Sequence, residues 1–134
     1  MPYYVVEKTM EALNKRGKSM HDANLLVLGV AYKKDVDDMR ESPSLKLIEL
    51  FQHRGARVDY HDPFFPKIPK LRRYRLNMRS INITAKKVAG YDAVVIATDH
   101  SVYDYQWIYR HAKLIIDTRN AMGKSLSDKK VVKA

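Results

Sequence analysis

Four groups of polar and charged residues each follow an apolar run with the length of a buried strand. The groups are Tyr32-Lys33-Lys34, His61-Asp62, Thr98-Asp99-His100 and Asp117-Thr118-Arg119-Asn120. In an open parallel sheet, loops at the carboxyl ends of the strands diverge and leave a crevice where ligands bind. Lys33 and Arg119 could hold a diphosphate there, because an ammonium and a forked guanidinium both bind phosphate strongly when partly desolvated. The alternative is that both are ordinary surface cations.

The loop after the first apolar run lacks the pattern of a dinucleotide site. A G-x-G-x-x-G turn needs its glycines so that the pyrophosphate and the following helix can approach the backbone closely. Residues 25–34 contain a single glycine, Gly29. We therefore expect anion contacts from side chains such as Lys33 and Arg119, and we expect this chain alone not to bind NAD tightly.

The elements that must position these groups alternate along the chain. Continuous or alternating apolar runs predict strands at 25–30, 56–60, 93–97 and 114–117. Helical spacing and capping residues predict helices at 1–18, from Ser42-Pro43 to Gly55, at 84–90 and at 105–110. This order predicts an α/β fold, a three-layer Rossmann-like open parallel sheet flanked by helices. We expect residues 64–79 to be irregular, with at most a short helix, and the polar tail at 124–134 to be frayed.

The bulk composition narrows the class of protein. A chain of 134 residues, 46% of them hydrophobic, fits one globular domain. The sequence has no apolar run that could span a membrane and no secretion signal, so we expect a cytoplasmic protein without membrane contacts. The absence of cysteine excludes disulfides, thiolate metal sites and a cysteine nucleophile on this chain.

The net charge of +10 favours anionic ligands, which include nucleic acid and phosphorylated small molecules. The central basic run consists of Lys67, Lys70, Arg72, Arg73, Arg75 and Arg79. It has no RNA-binding repeat or zinc-finger pattern, which favours a solvated face or a surface between subunits over a nucleic-acid site.

Two other groups could carry chemistry. The pairs His61-Asp62 and Asp99-His100 could act in acid–base chemistry or bind a metal, but neither has a spaced third ligand, so a structural role is favoured and no metal site is expected. The aromatic residues Tyr103, Tyr105, Trp107 and Tyr109 could form a base-stacking platform. Their spacing spreads the rings around a helix, which favours packing or a subunit interface.

Residues 29–43, Gly-Val-Ala-Tyr-Lys-Lys-Asp-Val-Asp-Asp-Met-Arg-Glu-Ser-Pro, resemble the signature of the C-terminal domain of the UDP-glucose/GDP-mannose dehydrogenase family. Within it, the sequence Tyr-Lys-Lys-Asp is most similar to the corresponding motif of the UDP-N-acetylglucosamine 6-dehydrogenases. Two further stretches agree, at 60–63 and at 97–100 with 116–120. The opening residues 1–14 also resemble the segment that leaves the central helical region of these enzymes. The resemblance covers residues 1 to about 123.

The resemblance implies roles for particular residues. Tyr32 and Lys33 match an aromatic–lysine pair that contacts the nucleotide sugar, Arg119 matches an arginine that binds it, and Arg40 matches an arginine that reaches the NAD phosphates. Tyr32 could instead be a buried structural residue. Arg40 could instead neutralise the nearby acidic residues Asp37, Asp38 and Glu41.

The resemblance also implies a reaction that this chain cannot perform alone. Whole enzymes of the family oxidise the sugar C6 alcohol to a carboxylate in two NAD-dependent steps, through a cysteine-bound thiohemiacetal and thioester, and serve polysaccharide biosynthesis. The cysteine and the NAD loop lie in the preceding portion, so we expect a UDP-sugar-binding part of an oxidoreductase, inactive in isolation and without catalytic residues. Residues 1–20 would be a helix from the central dimerisation region, 21–123 the nucleotide-sugar-binding domain and 124–134 the tail.

Three functions from different classes remain open at this stage. The first is a UDP-sugar-binding module that works with an N-terminal NAD-binding and catalytic portion. The second is a stand-alone basic domain that binds nucleic acid or another polyanion through residues 67–79, with an affinity that falls steeply with salt. The third is an interaction domain that forms a homodimer through the helix at 1–18.

Overall fold

The chain forms one five-stranded parallel sheet with helices packed on both of its faces. A computed structural model describes residues 2–31, 33–35, 42–71, 76–123 and 130–134. The helices are α1 (Pro2–Asn14), α2 (Pro43–His53), α3 (Ala85–Gly90) and α4 (Tyr105–His111). The strands are β1 (Asn24–Leu28), β2 (Arg57–His61), β3 (Ala93–Ile96), β4 (Ile115–Asp117) and β5 (Val131–Lys133). The strand order is β2-β1-β3-β4-β5, and every neighbouring pair is parallel.

The interior strand β1 is buried on both faces, which explains its continuous apolar run. Leu25 and Val27 pack in one cluster with α1 and α2, whereas Leu26 and Leu28 pack in a second cluster with α3 and α4. Successive side chains of a strand point to opposite faces, so a strand covered by helices on both sides needs apolar residues at every position. The predicted three-layer α/β fold is confirmed.

The helices begin where their capping residues predict. Ser42 precedes Pro43, the first residue of α2, and the Ser42 hydroxyl accepts a hydrogen bond from the Ser44 N–H at 3.2 Å. Thr84 caps α3 in the same way through the Lys87 N–H, at 3.1 Å. These side chains satisfy N–H groups that have no partner within the helix.

The connection between β2 and α3 is irregular, as predicted, and its described residues, 64–71 and 76–79, contain no helix. It is held by backbone pairing between Lys67 and Arg79 and by a 3.1 Å hydrogen bond from the Ile68 N–H to the Met78 carbonyl. Ile68 is buried against the core cluster beneath α1 and α2.

None of the helices among the described residues is long and apolar enough to cross a membrane.

The prediction of a frayed C-terminal end is wrong for residues 131–133. They form β5, which pairs with β4 from Val131 opposite Ile115 to Lys133 opposite Asp117. Val131 is buried, and the Ala134 N–H continues the pairing with a 3.0 Å bond to the Asp117 carbonyl. A three-residue edge strand that ends in lysine carries too short an apolar pattern to stand out from a polar tail.

Gly29 ends β1 in a conformation that other residues adopt with strain, at φ +92°. A Cβ atom on Gly29 would overlap the Thr98 side chain and lie 2.7 Å from the Thr98 carbonyl oxygen. The Gly29 N–H donates to the His61 carbonyl at 2.8 Å. Glycine is therefore required here so that the loops after β1 and β3 can approach each other.

We predict that Gly29→Ala lowers the free energy of unfolding by about 2–4 kcal/mol, because it adds backbone strain to a steric overlap. The matched control is Gly17→Ala, since Gly17 has φ +72° but nothing within 4 Å of an added Cβ. The control should cost about 1–2 kcal/mol, the backbone term alone. Urea unfolding monitored by circular dichroism measures both, and equal losses would contradict the close approach of Gly29 to Thr98.

Candidate functional site

The carboxyl edge of the sheet is organised around the buried carboxylate of Asp62, which follows β2. Its Oδ2 accepts hydrogen bonds from the Val30 N–H at 2.7 Å and the Ala31 N–H at 3.2 Å. The same oxygen accepts from Nε2 of His100 at 2.9 Å, and Oδ1 accepts from the Phe64 N–H at 2.8 Å. Asp62 thereby ties the loop after β2 to the loops after β1 and β3.

These contacts decide how the edge can bind a phosphate. In a dinucleotide-binding turn, free backbone N–H groups after the first strand face the pyrophosphate. Here the N–H groups of Val30 and Ala31 are occupied by Asp62, and the space beside Gly29 is filled by Thr98. The described residues directly after β1 therefore do not fit an NAD pyrophosphate bound in the Rossmann manner.

Lys33 lies exposed on the loop after β1, and that loop is fixed on both sides of it. On one side, the Thr98 hydroxyl donates to the Ala31 carbonyl at 2.9 Å. On the other, the Asp35 N–H donates to Nδ1 of His100 at 2.8 Å. Because Nδ1 accepts, the neutral His100 ring carries its proton on Nε2 and donates it to Asp62.

Arg119 lies exposed on the loop after β4, and its Nε donates to the Ala97 carbonyl at 2.9 Å. The loop itself is built on the buried Asp117 carboxylate. Asp117 accepts from the N–H groups of Arg119 at 3.1 Å, Ala121 at 3.0 Å and Met122 at 2.9 Å. The guanidinium is thus drawn toward the end of β3 by its Nε.

The structure brings the Lys33 and Arg119 loops to the same edge of the sheet, on either side of the end of β3. The Lys33 loop is bonded to Thr98 and the Arg119 side chain to Ala97, which are consecutive residues. The remaining predicted site residues, Tyr32 and Arg40, lie outside the described residues. Their roles, and those of the acidic residues proposed to neutralise Arg40, stay predictions.

The interpretation of the two His–Asp pairs as structural is supported by their contacts. His61 shares a 2.9 Å hydrogen bond between Nδ1 and the Tyr103 hydroxyl, which also contacts the His61 carbonyl at 2.9 Å. Burial is the main cause that lowers the pKa of His61, and the nearby Asp62 carboxylate opposes it. The described residues contain no group of three His, Asp or Glu side chains placed to hold a metal ion.

A groove of about 550 Å³ lies beside this pair, between the end of β2 and α4. It is lined by His61, Pro63, Ile83, Val102, Tyr103, Asp104, Trp107 and Ile108. Among the residues that the structure describes, this lining comes from the end of β2, the loops after β2 and β3, and α4.

The aromatic residues around α4 pack rather than stack into a platform. Tyr103 is buried, and Tyr105, Trp107 and Tyr109 are partly buried against the core cluster beneath α3 and α4. The Tyr105 hydroxyl donates to the His100 carbonyl at 2.9 Å. Burial is the main cause that raises the pKa of both Tyr103 and Tyr105. The packing interpretation is confirmed for these four residues.

Residues of the basic run that the structure describes are exposed. The exposed residues are Lys67, Lys70 and Arg79. The other members of the run, Arg72, Arg73 and Arg75, lie outside the described residues. Exposure of these side chains agrees with a solvated face. Whether the run contacts a partner stays a prediction.

Sequence reasoning did not find the contacts that hold the two cationic loops. It named Asp117 only as a polar residue at a strand end, it favoured a structural role for Asp62 without naming a contact, and it gave Asp35 and Ser101 no role. One signal was available: an Asp-Pro pair after a strand favours a turn in which the aspartate bonds the N–H two residues on, as Asp62 does with Phe64. The bonds within the Asp117 loop are also local in sequence, whereas the contacts between different loops join residues far apart in sequence.

The fold and the edge define a class of protein: an α/β domain with a parallel sheet whose carboxyl edge presents cations on loops instead of a glycine-rich phosphate turn. Residues 26–124 match a family model that is described as "UDP-glucose/GDP-mannose dehydrogenase family, UDP binding domain". The chain belongs to this family, and it corresponds to the family's UDP-binding domain.

Individual relatives agree with this assignment. The chain is 35% identical over 127 residues to a UDP-N-acetyl-D-mannosamine dehydrogenase from Pyrococcus horikoshii, a match that covers 90% of this chain and 27% of the relative. It is 25% identical to a UDP-N-acetyl-D-glucosamine 6-dehydrogenase from Salmonella typhi over 77% of this chain and 23% of that protein. A solved structure of the UDP-D-ManNAc dehydrogenase from Pyrococcus horikoshii superposes with a TM-score of 0.76 and 30% identity, covering 98% of this chain and 30% of that one. The chain thus spans less than a third of these relatives.

We predict that Asp117→Asn destabilises the domain by about 2–3 kcal/mol at pH 7, because an amide group cannot accept all of these hydrogen bonds. Burial of the Asp117 carboxyl opposes ionisation, but the N–H groups of Met122 and Ala121, the Lys133 ammonium and the Arg119 N–H together lower its pKa below the ordinary 3.8. A carboxyl with a lowered pKa stabilises the fold above the pKa of the unfolded chain, and this stabilisation is lost as the pH falls through the folded value.

The difference between wild type and Asp117→Asn should therefore be full at pH 7 and shrink below about pH 4. Urea unfolding at pH 7, 5 and 3 measures it. The control Asp22→Asn changes a carboxylate whose side chain is 64% exposed, at the opposite edge of the sheet, and should cost less than about 0.5 kcal/mol. A pH-independent difference for Asp117→Asn would contradict the role of its charge.

Proposed function

We propose that this domain binds the nucleotide part of a UDP-sugar at the carboxyl edge of its sheet, with Lys33 and Arg119 holding the diphosphate. The observation that carries the proposal is the pair of bonds at the end of β3. Thr98 holds the carbonyl of Ala31, two residues before Lys33, and the Ala97 carbonyl holds the Arg119 guanidinium. The two cationic loops are consequently anchored to consecutive residues of one strand end.

Charge and geometry both favour a phosphate ligand between these loops. The N–H groups of Val30 and Ala31 are occupied by Asp62, so we assign the phosphate contacts to cationic side chains. An arginine that uses Nε for the backbone still offers terminal amino groups in a fixed plane, which suits phosphate oxygens. The net charge of +10 raises the local concentration of anions around the whole domain.

The two residues outside the described ranges complete the proposed site. Tyr32 would contact the nucleotide sugar beside Lys33, and a tyrosine ring offers both a stacking face and a hydroxyl. Arg40 would reach the NAD phosphates across a cleft to another portion of the enzyme. These two assignments rest on the family signature at residues 29–43.

The reaction that we propose is the NAD-dependent oxidation of a UDP-N-acetylhexosamine at C6 to a uronic acid, in the cytoplasm. The relatives are named for N-acetylmannosamine and N-acetylglucosamine, so the proposal extends to the class of sugar and not to one epimer. This chain contains no cysteine and no glycine-rich dinucleotide loop. It would therefore bind substrate without turnover unless an NAD-binding and catalytic portion is supplied.

We expect UDP and UDP-N-acetylglucosamine to bind the chain more tightly than inorganic diphosphate, because the uridine adds stacking and hydrogen bonds to the phosphate contacts. Lys33→Ala and Arg119→Ala should each weaken UDP binding by about tenfold, the loss of one charge-assisted contact. Isothermal titration calorimetry at a fixed salt concentration measures all of these affinities.

Lys113→Ala is the matched control, because Lys113 is an exposed lysine just before β4, at the opposite edge of the sheet. It removes the same charge and should leave the UDP affinity within about twofold of wild type, since exposed distant charges are screened. Equal affinity for UDP and diphosphate, with equal losses in all three variants, would contradict the proposal and favour a polyanion-binding domain.

A further inference from the structure

Asp35 follows the two lysines of the β1 loop in an unusual backbone conformation. Its φ is +60°, in the left-handed region that residues with a Cβ atom enter at a cost. Aspartate tolerates this region better than most residues, but something must still hold it there. Strained residues of this kind collect at functional loops, so the contacts of Asp35 identify what its conformation serves.

The Asp35 side chain fastens the loop after β1 to the loop after β3. Its Oδ1 accepts from the Ser101 N–H at 2.8 Å, and its Oδ2 accepts from the Ser101 hydroxyl at 2.6 Å. Its own N–H donates to Nδ1 of His100 at 2.8 Å. The hydrogen bonds from Ser101 are the main cause that lowers the pKa of the Asp35 carboxyl, so this carboxyl is charged at neutral pH. We call the hydrogen bonds between Asp35 and Ser101 the latch.

The loop that receives this latch is itself rigidly held. His100 is fully buried and bonded to Asp62, and the Tyr105 hydroxyl donates to the His100 carbonyl at 2.9 Å. The latch thus attaches an exposed loop to a fixed base. With the Thr98 bond to Ala31, the backbone is held at Ala31 before Lys33 and at Asp35 after it.

We infer that Asp35 is a positioning residue for the nucleotide site: through Ser101 and His100 it holds the Lys33 loop in its binding conformation before the ligand arrives. The inference rests on the proposed function, since it concerns the same site. A loop ordered in advance loses less conformational entropy on binding, so the ligand binds more tightly. Asp35 does this without touching the ligand.

Electrostatics alone would give the opposite effect. An exposed carboxylate two residues from Lys33 repels an anionic ligand, and its removal should tighten the binding of UDP. The latch requires that the removal of Asp35 weakens binding. The sign of the change therefore distinguishes a positioning role from a mere charge.

The test compares the UDP affinities of wild type, Asp35→Gly and Asp35→Asn by calorimetry. Both variants remove the same charge and both tolerate a φ near +60°, but glycine removes every side-chain hydrogen bond, whereas asparagine keeps an acceptor. We expect UDP binding about tenfold weaker in Asp35→Gly and only about threefold weaker in Asp35→Asn. The control is Asp22→Gly, because Asp22 has φ +66° and lies exposed before β1 at the opposite edge. It should bind UDP as wild type does.

A second measurement reads the latch without a ligand. Amide hydrogen exchange at residues 33–35 should become about tenfold faster in Asp35→Gly and in Ser101→Ala, with no change in Asp22→Gly. UDP binding in Asp35→Gly that equals or exceeds wild type would overturn the inference, and so would unchanged exchange. If wild type fails to prefer UDP over diphosphate, the proposed function fails, and the exchange rates alone decide whether the latch exists.

Discussion

A single buried carboxylate, that of Asp62, determines how the carboxyl edge of this domain is built. A buried charge is tolerated only when its hydrogen-bonding capacity is filled, and Asp62 is filled by three backbone N–H groups and one histidine. Because these donors come from three loops, the carboxylate fixes the loops relative to one another. The same contacts occupy the Val30 and Ala31 N–H groups, which a phosphate bound after β1 would need as donors. In the proposed site, the diphosphate contacts are therefore assigned to side chains of these loops.

The two cationic loops solve the problem of rigidity in the same way. Each contains a non-glycine residue in the left-handed region, Asp35 after Lys33 and Asn120 after Arg119, with φ of +60° and +57°. Each of these residues is held by its own side chain: Asp35 by Ser101, and Asn120 by the Lys133 ammonium at 3.0 Å. Lys133 also bonds the Asp117 carboxylate at 3.0 Å. The edge strand β5 thus supports the Arg119 loop, and the last residues of the chain take part in the architecture of the proposed site.

Local sequence signals were sufficient for the elements and insufficient for the contacts between loops. The apolar runs and the caps at Ser42 and Thr84 identified four strands and the starts of two helices, because burial on both faces and capping leave local patterns. The three-residue strand β5 leaves almost no such pattern. The latch between Asp35 and Ser101 spans 66 positions, and the bond between Asp35 and His100 spans 65. Contacts of this kind depend on the strand order β1-β3, which no single stretch of sequence specifies. The edge on which Lys33 and Arg119 lie followed from the general rule for parallel sheets, but their anchoring did not.

The proposed contacts also bear on how selectivity would be divided within a larger enzyme. A lysine and an arginine that hold a diphosphate respond to charge and geometry common to every UDP-sugar, so they supply affinity without choosing the sugar. That agrees with membership in a family whose relatives are named for different sugars. Discrimination between epimers requires directed hydrogen bonds to a sugar hydroxyl, because a buried polar group left without its partner is what penalises the wrong substrate. A preorganised diphosphate site can keep one geometry whichever sugar is bound. This gives a physical reason why rigid, hydrogen-bonded loops form the part of the proposed site that does not select the sugar.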